Sequence, residues 1–195
     1  MDPINLLVLI NLIVSMSANW GGARKGLKTS ITKVVDRPKT YLQKLPPNVA
    51  ALVLVLTIIG VFKLGVLSGE YSDKFILVRA IGLCFFVVFS WFQVWAYRSL
   101  GKSYAQDIVI LKDHKLKTAG PFRFIRHPQY LSQILSDLGA GLALMSFLVV
   151  PAVLLFEIPL FIMRASVEEK MLSKHFEDEF SEYKKRSGFM LPFIG

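Results

Sequence analysis

Residues 130–163 read YLSQILSDLGAGLALMSFLVVPAVLLFEIPLFIM, and this apolar stretch sets the architecture of the chain. A helix that crosses the hydrocarbon core of a bilayer needs about 20 mostly apolar residues, so the stretch is too long for one crossing and suits two. Gly139 and Gly141 interrupt its first half, and Pro151 lies near its middle. We therefore expect a hairpin of two membrane helices that turns near residues 147–151.

Three further apolar runs precede this hairpin, and two of them contain a single cation each, Lys63 and Arg79. With 53% hydrophobic and 19% charged residues, the chain is more apolar than a soluble core of this size requires. The sequence predicts an all-α fold: a polytopic membrane helix bundle of five transmembrane helices in a single domain. The expected spans are residues 4–20, 49–67, 75–97, 130–147 and 150–163.

The basic residues lie between the apolar runs and define a topology. Residues 21–47 contain seven lysines and arginines, residues 98–128 contain seven more, and the predicted turn at residues 68–74 contains one. Five spans place both basic segments on one side, with the N-terminus outside and the C-terminus in the cytoplasm. The formal charge of +9 is therefore explained by membrane topology, and we expect no nucleic-acid partner.

The segment after the last apolar run balances six cations against six acids. Phe176, Phe180 and Tyr183 recur at helical spacing beside Glu168 and Glu169. This pattern predicts a C-terminal amphipathic helical tail along the membrane face.

A polar, cationic block, GPFRFIRHPQY, stands directly before the hairpin at residues 120–130. Pro128 favours a helix start, so His127 is expected at a helix N-terminus, where free N–H groups and the positive dipole suit a carboxylate. The alternative is a simple interfacial anchor, because Arg126, His127 and Tyr130 are all common at membrane surfaces.

A second charged group follows the hairpin. Arg164 and Glu168 are four residues apart and share a helix face, which by itself predicts only an ion pair of about 0.3–0.5 kcal/mol. The hairpin, however, returns Arg164 and Glu168 to the membrane side of Arg126 and Tyr130. Topology alone is therefore expected to bring the two charged groups together.

Two carboxylates fall inside the hairpin itself, Asp137 and Glu157, where a lone charge is costly. We expect Asp137 to face Arg79 or Lys63 and Glu157 to line a cavity. No second histidine or cysteine stands at zinc-ligand spacing from His114, so no metal site is expected.

The segments HKLKTAG (114–120), RHPQY (126–130) and Arg164 with Glu168-Glu169 resemble the isoprenylcysteine carboxyl methyltransferase family. Members of this family are integral membrane enzymes that methylate the C-terminal carboxylate of prenylated proteins with S-adenosylmethionine. The endings EYKKR (182–186) and LPFI (191–194) are similar to the carboxyl end of the family. The resemblance extends from Gly101 onward, and the earlier helices match only in hydropathy.

The resemblance implies S-adenosyl-L-methionine as the cofactor, with the lipid bilayer and a prenylated cysteine or prenylated protein C-terminus as partners. It implies catalytic roles for Arg164, Glu168 and Arg126, with either arginine holding the carboxylate. Phe122 stands where the family commonly has tyrosine, and Lys117 replaces an apolar residue. The implied cofactor contacts are Ile110, His114, Lys115, Leu116, Lys117, Phe122, His127, Pro128, Gln129, Tyr130 and Glu168.

The resemblance further implies a multi-pass membrane protein whose active site faces the cytoplasm, in the cell membrane of a prokaryote or the endoplasmic reticulum of a eukaryote. Three alternatives stay open: a phospholipid N-methyltransferase, a sterol reductase, and a non-enzymatic scaffold whose basic loops bind anionic lipid headgroups. A carboxylate acceptor, with a pKa of about 3.5, is already ionised and needs no general base, whereas an amine acceptor needs one.

Overall fold

The computed structural model describes residues 2–32, 34–67, 69–101, 107–111, 115–192 and 194–195, and the described part is mostly helical. Two short strands, β1 (Val34–Asp36) and β2 (Ile110–Leu111), pair antiparallel. A π-helical turn, Val153–Glu157, joins the last two helices without a break. The helices are α1 (Pro3–Thr32), α2 (Leu45–Val61), α3 (Gly69–Lys74), α4 (Ile76–Leu100), α5 (Pro128–Ala143), α6 (Val149–Ala152) and α7 (Ile158–Arg186).

The predicted polytopic membrane helix bundle is confirmed, with different helix bounds. Among the described residues, four segments are long and apolar enough to span a membrane, and α5 adds a shorter helix of 16 residues. The second helix begins earlier than expected because Pro46 and Pro47 start it, and it ends before Lys63, whose φ is 65°. The four segments are Pro3–Trp20, Tyr41–Val61, Ile76–Leu100 and Val149–Arg186.

The hairpin turn lies between α5 and α6, slightly before its predicted position. Met145 adopts a positive φ of 53°, and the hydroxyl of Ser146 accepts the backbone N–H of Val149 at 3.1 Å. Such a hydroxyl satisfies one of the free N–H groups at a helix start. Pro151 therefore falls in the first turn of α6, where its missing N–H costs nothing.

The amphipathic tail is the continuation of α7 beyond the membrane segment, and a kink at Glu177 (φ 40°, ψ −111°) bends it. Two of its three aromatic residues named above are buried in the protein, since Phe180 and Tyr183 are only 1% and 3% exposed. The Tyr183 hydroxyl donates to the carbonyl of Phe122 at 2.5 Å. The tail therefore packs against the protein, over the polar block that precedes α5.

Arg79 of α4 does not pair with Asp137, contrary to the sequence-based expectation. Its guanidinium donates to both carboxylate oxygens of Asp2, at 2.9 and 2.7 Å, to Asn5 and to the carbonyl of Ala143. A bidentate arginine–carboxylate pair is among the stronger charge-assisted contacts. The pair ties the beginning of α1 to the α4–α5 layer.

Helices α4 and α5 pack with their backbones in close contact through two glycines. A Cβ added to Gly139 would lie 2.6 Å from the backbone nitrogen of Phe86 and 2.8 Å from the carbonyl oxygen of Gly82. Small residues at a helix crossing are a common way for membrane helices to approach each other. The first turn of α5 lines the charged cavity described below, so the contact between α4 and α5 sets the position of that part of the cavity wall.

We expect Gly139→Ala to lower the thermal unfolding midpoint in detergent, because the added methyl group must push two helix backbones apart. Overpacking of this kind costs about 1–3 kcal/mol. The matched control is Gly69→Ala, where a Cβ would meet no heavy atom within 4 Å. Equal midpoints for the two variants would show that the α4–α5 contact is looser than described.

Candidate active site

An open cavity lies at one end of the helices. Its wall includes charged residues from the polar block before α5 and from the segment after the hairpin. It holds about 1030 Å³ of empty space, its mouth included. Its walls come from the start of α2, the end of α4, the segment before β2, the polar block before α5, and α7. The lining residues are Pro47, Tyr97, Leu100, Asp107, Val109, Leu116, Lys117, Phe122, Arg126, His127, Gln129, Tyr130, Phe161, Arg164, Glu168, Leu172, Phe180 and Tyr183.

Tyr130, in the first turn of α5, joins the two charged residues of α7. The Nε atom of Arg164 donates to the Tyr130 hydroxyl at 3.0 Å, and that hydroxyl donates to Glu168 Oε2 at 2.8 Å. Arg164 also lies over the Tyr130 ring, 5.9 Å from its centroid. The hairpin therefore brings together residues separated by more than thirty positions, as its topology requires.

Arg164 is also fixed to the chain segment that precedes α2. Its Nη1 atom donates to the backbone carbonyls of Leu42 at 2.7 Å and Gln43 at 2.9 Å, and the side chain is buried. These two carbonyls are neutral, and the carboxylates of Glu168 and Asp107 also lie close enough to attract the guanidinium. Nothing in the sequence pattern signals this contact, because Leu42 and Gln43 belong to no recognisable motif.

Arg126, by contrast, is matched by a carboxylate. Its Nε atom donates to Glu169 Oε1 at 2.5 Å, and its Nη atoms donate to the carbonyls of Ser187 and Gly195. Glu169 also pairs with Lys184 at 3.1 Å. Arg126 therefore anchors the C-terminal segment beside the cavity, while Glu168 and Glu169, adjacent in sequence, serve different arginines.

His127 precedes α5 directly and is almost fully buried, at 2% exposure. Its ring stacks on Tyr130, with centroids 5.5 Å apart and planes 5° from parallel. Its ring nitrogens lie near two carboxylates of α7, with Nε2 3.4 Å from Glu169 Oε1 and Nδ1 3.8 Å from Glu168 Oε2. The Oε1 atom of the buried Gln129 has no hydrogen-bond partner within the described part of the chain, which is unusual for a buried polar atom.

Only some of the other predicted cofactor residues line the cavity. Leu116, Lys117 and Phe122 line the cavity, and Phe122 is only 4% exposed. Lys115 is exposed, and Ile110 packs with Ile108 and Met171 away from the cavity. Pro128 is the buried first residue of α5, and His114 lies outside the described residues.

Glu157 does not line this cavity, contrary to the sequence-based expectation. It is fully buried, and neither of its carboxylate oxygens has a hydrogen-bond partner among the described residues. Asp137 accepts from Gln133 at 2.6 Å, and Gln93 of α4 donates in turn to Gln133. Asp137 therefore belongs to a polar chain between α4 and α5.

Several lining residues could not be selected from the sequence. Tyr97 and Leu100 end an apolar helix, and Phe161 and Leu172 follow the ordinary apolar pattern of α7. Only the position of Tyr97 at the end of a predicted span, in an interfacial belt, could have drawn attention.

These features define a polytopic helical membrane protein with a charged cavity at one end of its helices. The family model described as "Phospholipid methyltransferase" matches residues 77–179, more than half of the chain. The chain therefore belongs to the phospholipid methyltransferase family.

Curated relatives include proteins named protein-S-isoprenylcysteine O-methyltransferase. The protein from Tribolium castaneum is 29% identical over 58% of this chain and 41% of its own length. The protein from Saccharomyces cerevisiae is 29% identical over 64% of this chain and 53% of its own length. The chain thus spans about half the length of these relatives.

A solved structure shares the fold. It is the eukaryotic intramembrane Ras methyltransferase, isoprenylcysteine carboxyl methyltransferase, without a monobody. The TM-score is 0.65 at 20% identity, over 100% of this chain and 69% of the other.

Proposed function

We propose that this protein transfers the methyl group of S-adenosylmethionine to the C-terminal carboxylate of an S-prenylated cysteine. The observation that carries the proposal is the hydrogen-bonded Arg164–Tyr130–Glu168 arrangement on the cavity wall, which combines a cation and a carboxylate in one site. The reaction forms an O–CH3 bond and breaks the C–S bond of the donor. Its products are a methyl ester and S-adenosylhomocysteine.

The lining residues fit the donor by charge and by hydrogen-bonding capacity. S-adenosylmethionine, when bound, supplies an electrophilic methyl group on a sulfonium. We assign its ammonium group to Glu168 and its polar edges to His127 and to Gln129, whose Oε1 atom has no hydrogen-bond partner among the described residues. Leu116 and Phe122 supply apolar contact area, with Tyr130 holding Glu168 in place.

We assign the acceptor carboxylate to Arg164 in preference to Arg126. Arg126 is tied directly to Glu169 and to the carbonyls of Ser187 and Gly195, whereas Arg164 lies against Tyr130 and Glu168 on the cavity wall. We therefore place the acceptor carboxylate beside Arg164, next to the residue assigned to the ammonium group of the donor. Because the acceptor is already ionised, the task of the protein is to hold one oxygen in line with the methyl group, and positioning of this kind is an effective route to catalysis.

The lipid part of the acceptor requires an apolar surface next to the charged groups. Tyr97, Leu100, Phe161 and Leu172 line the cavity beside Arg164 and offer such a surface. A prenyl chain dissolves in the bilayer, so we propose that it reaches this wall from the membrane. Consistent with the distribution of lysine and arginine, we propose that the cavity faces the cytoplasm.

The name of the matching family model favours a second candidate, N-methylation of a phospholipid amine. The ammonium group of a phospholipid must lose a proton before its nitrogen can attack the methyl group, so that reaction requires a proton acceptor. Among the lining residues, His127 has an imidazole suited to this role, and its Nε2 atom lies 3.4 Å from Glu169 Oε1.

The two candidates are distinguished by acceptor competition. Purified protein would receive S-adenosylmethionine labelled in the methyl group, with N-acetyl-S-farnesylcysteine, N-acetylcysteine and phosphatidylethanolamine in one vesicle mixture. The proposal predicts label on the farnesylated acid alone. Label on phosphatidylethanolamine would replace it with the second candidate.

A further inference from the structure

The side chain of Gln43 forms a paired hydrogen bond with the backbone of a residue 65 positions away. Its Nε2 atom donates to the carbonyl of Ile108 at 2.9 Å, and its Oε1 atom accepts the N–H of Ile108 at 2.9 Å. The Nε2 atom also donates to the carbonyl of Pro38 at 3.2 Å. The side-chain amide of Gln43 therefore pairs with the backbone of Ile108 as a neighbouring strand would, and it links the segment before α2 to the segment before β2.

The residues on either side of Ile108 form part of the cavity wall. Asp107 and Val109 both line the cavity, while Ile108 is 2% exposed and points into the cluster with Ile110 and Met171. The backbone of Ile108 thus sets the position of both neighbours. A shift of this backbone would move two lining residues at once.

Arg164 contacts Gln43 as well, through the backbone of Gln43. The Nη1 atom of Arg164 donates to the backbone carbonyls of Leu42 and Gln43. One connected path therefore leads from the arginine in the cavity, through the backbone and side chain of Gln43, to the backbone of Ile108 between two lining residues.

We propose that Gln43 is a positioning residue that sets the distance between Arg164 and the wall formed by Asp107 and Val109, and thereby the affinity for the methyl donor. The identity of the donor rests on the proposed function. The donor carries two positive charges, a sulfonium and an ammonium, and the carboxylates among the lining residues are Glu168 and Asp107, which also pairs with Arg37 at 3.2 Å. Moving Asp107 therefore weakens donor binding more than it affects the methyl-transfer step.

The test compares Gln43→Leu and Gln43→Glu with the control Tyr41→Ala. Tyr41 lies in the same short 3-10 helix as Gln43, and its side chain is 61% exposed. Leucine removes both hydrogen bonds to Ile108. Glutamate keeps an acceptor for the Ile108 N–H but lacks the donor for its carbonyl, so it tests the pair one bond at a time.

Two readouts are measured in detergent for each variant: amide hydrogen exchange of the peptide that contains Ile108, and donor binding by titration calorimetry with KM and kcat for the donor. We expect Gln43→Leu to accelerate exchange at Ile108 and to raise the dissociation constant for S-adenosylmethionine about tenfold, with kcat at saturating donor changed less than about twofold. Gln43→Glu should keep most of the Ile108 protection and show a smaller loss of affinity. Tyr41→Ala should match the wild type.

Wild-type affinity and wild-type exchange in Gln43→Leu would overturn the inference. A loss of kcat with unchanged affinity would also overturn it, because it would indicate general damage instead of wall positioning. If the leucine variant does not fold, the same criteria apply to Gln43→Glu. Failure of the wild type to bind the donor at all would refute the proposed function and the affinity claim with it, whereas the exchange data would still report whether Gln43 holds Ile108.

Discussion

Arg164→Lys is expected to lower the rate of methyl transfer by about 100-fold or more while the protein remains folded. Lysine preserves the charge but has no planar fork, so it cannot donate to Tyr130 and to the carbonyls of Leu42 and Gln43 at the same time. The acceptor carboxylate would then lose its fixed cation. The measurement is the steady-state rate on N-acetyl-S-farnesylcysteine, with the thermal midpoint recorded in parallel.

Two further variants complete this test. Glu168→Gln retains the acceptor for the Tyr130 hydroxyl but removes the charge, and it should raise the KM for the donor as well as abolish most turnover. Ser166→Ala is the matched control, because its hydroxyl bonds to the carbonyl of Ile162 one turn back on α7 and Ser166 does not line the cavity. Full activity in both Arg164→Lys and Glu168→Gln would refute the roles assigned to them.

Arg126→Met is expected to reduce the free energy of unfolding by about 3 kcal/mol or more, the usual cost of removing one partner of a buried ion pair. Glu169, 8% exposed, would lose its main partner, and the carbonyls of Ser187 and Gly195 would lose a donor. Lys184 would neutralise Glu169 in part. The measurement is the unfolding transition in mixed detergent.

The double variant Arg126→Met with Glu169→Gln should recover part of the loss, since it removes the uncompensated charge. The control is Lys185→Ala, which breaks the pair with Glu182 at 2.6 Å where both side chains are 69% exposed. Exposed pairs contribute little, so this control should be close to the wild type. An Arg126 variant as stable as the Lys185 variant would contradict the anchoring role of Arg126.

The membrane helices could be predicted from the sequence because hydropathy is a local property. The bounds of α2 could not, because they depend on Pro46 at one end and on the positive φ of Lys63 at the other. The pairing of Arg79 was also beyond local reasoning. Asp2, its partner, lies 77 positions away, and only the packing of α1 on α4 decides between Asp2 and Asp137.

The candidate site, like the fold, could be predicted from the sequence only in part. The spacing of Arg164 and Glu168, together with the hairpin, was enough to predict that they meet Tyr130. The separate roles of Glu168 and Glu169 were not, because successive helix residues point about 100° apart and a sequence does not reveal which one faces the cavity. Gln43 carries no pattern at all, since the role proposed for it comes from a long-range contact with the backbone of Ile108.

The most direct test of the account is the chemical form of the product. Purified protein would be incubated with methyl-labelled S-adenosylmethionine and N-acetyl-S-farnesylcysteine, and the extracted product would be treated with base. We predict that the label is released as methanol, which identifies a methyl ester. Label that stays bound through base treatment, or an absence of label from a protein that binds the donor, would contradict carboxyl methylation at the Arg164 cavity.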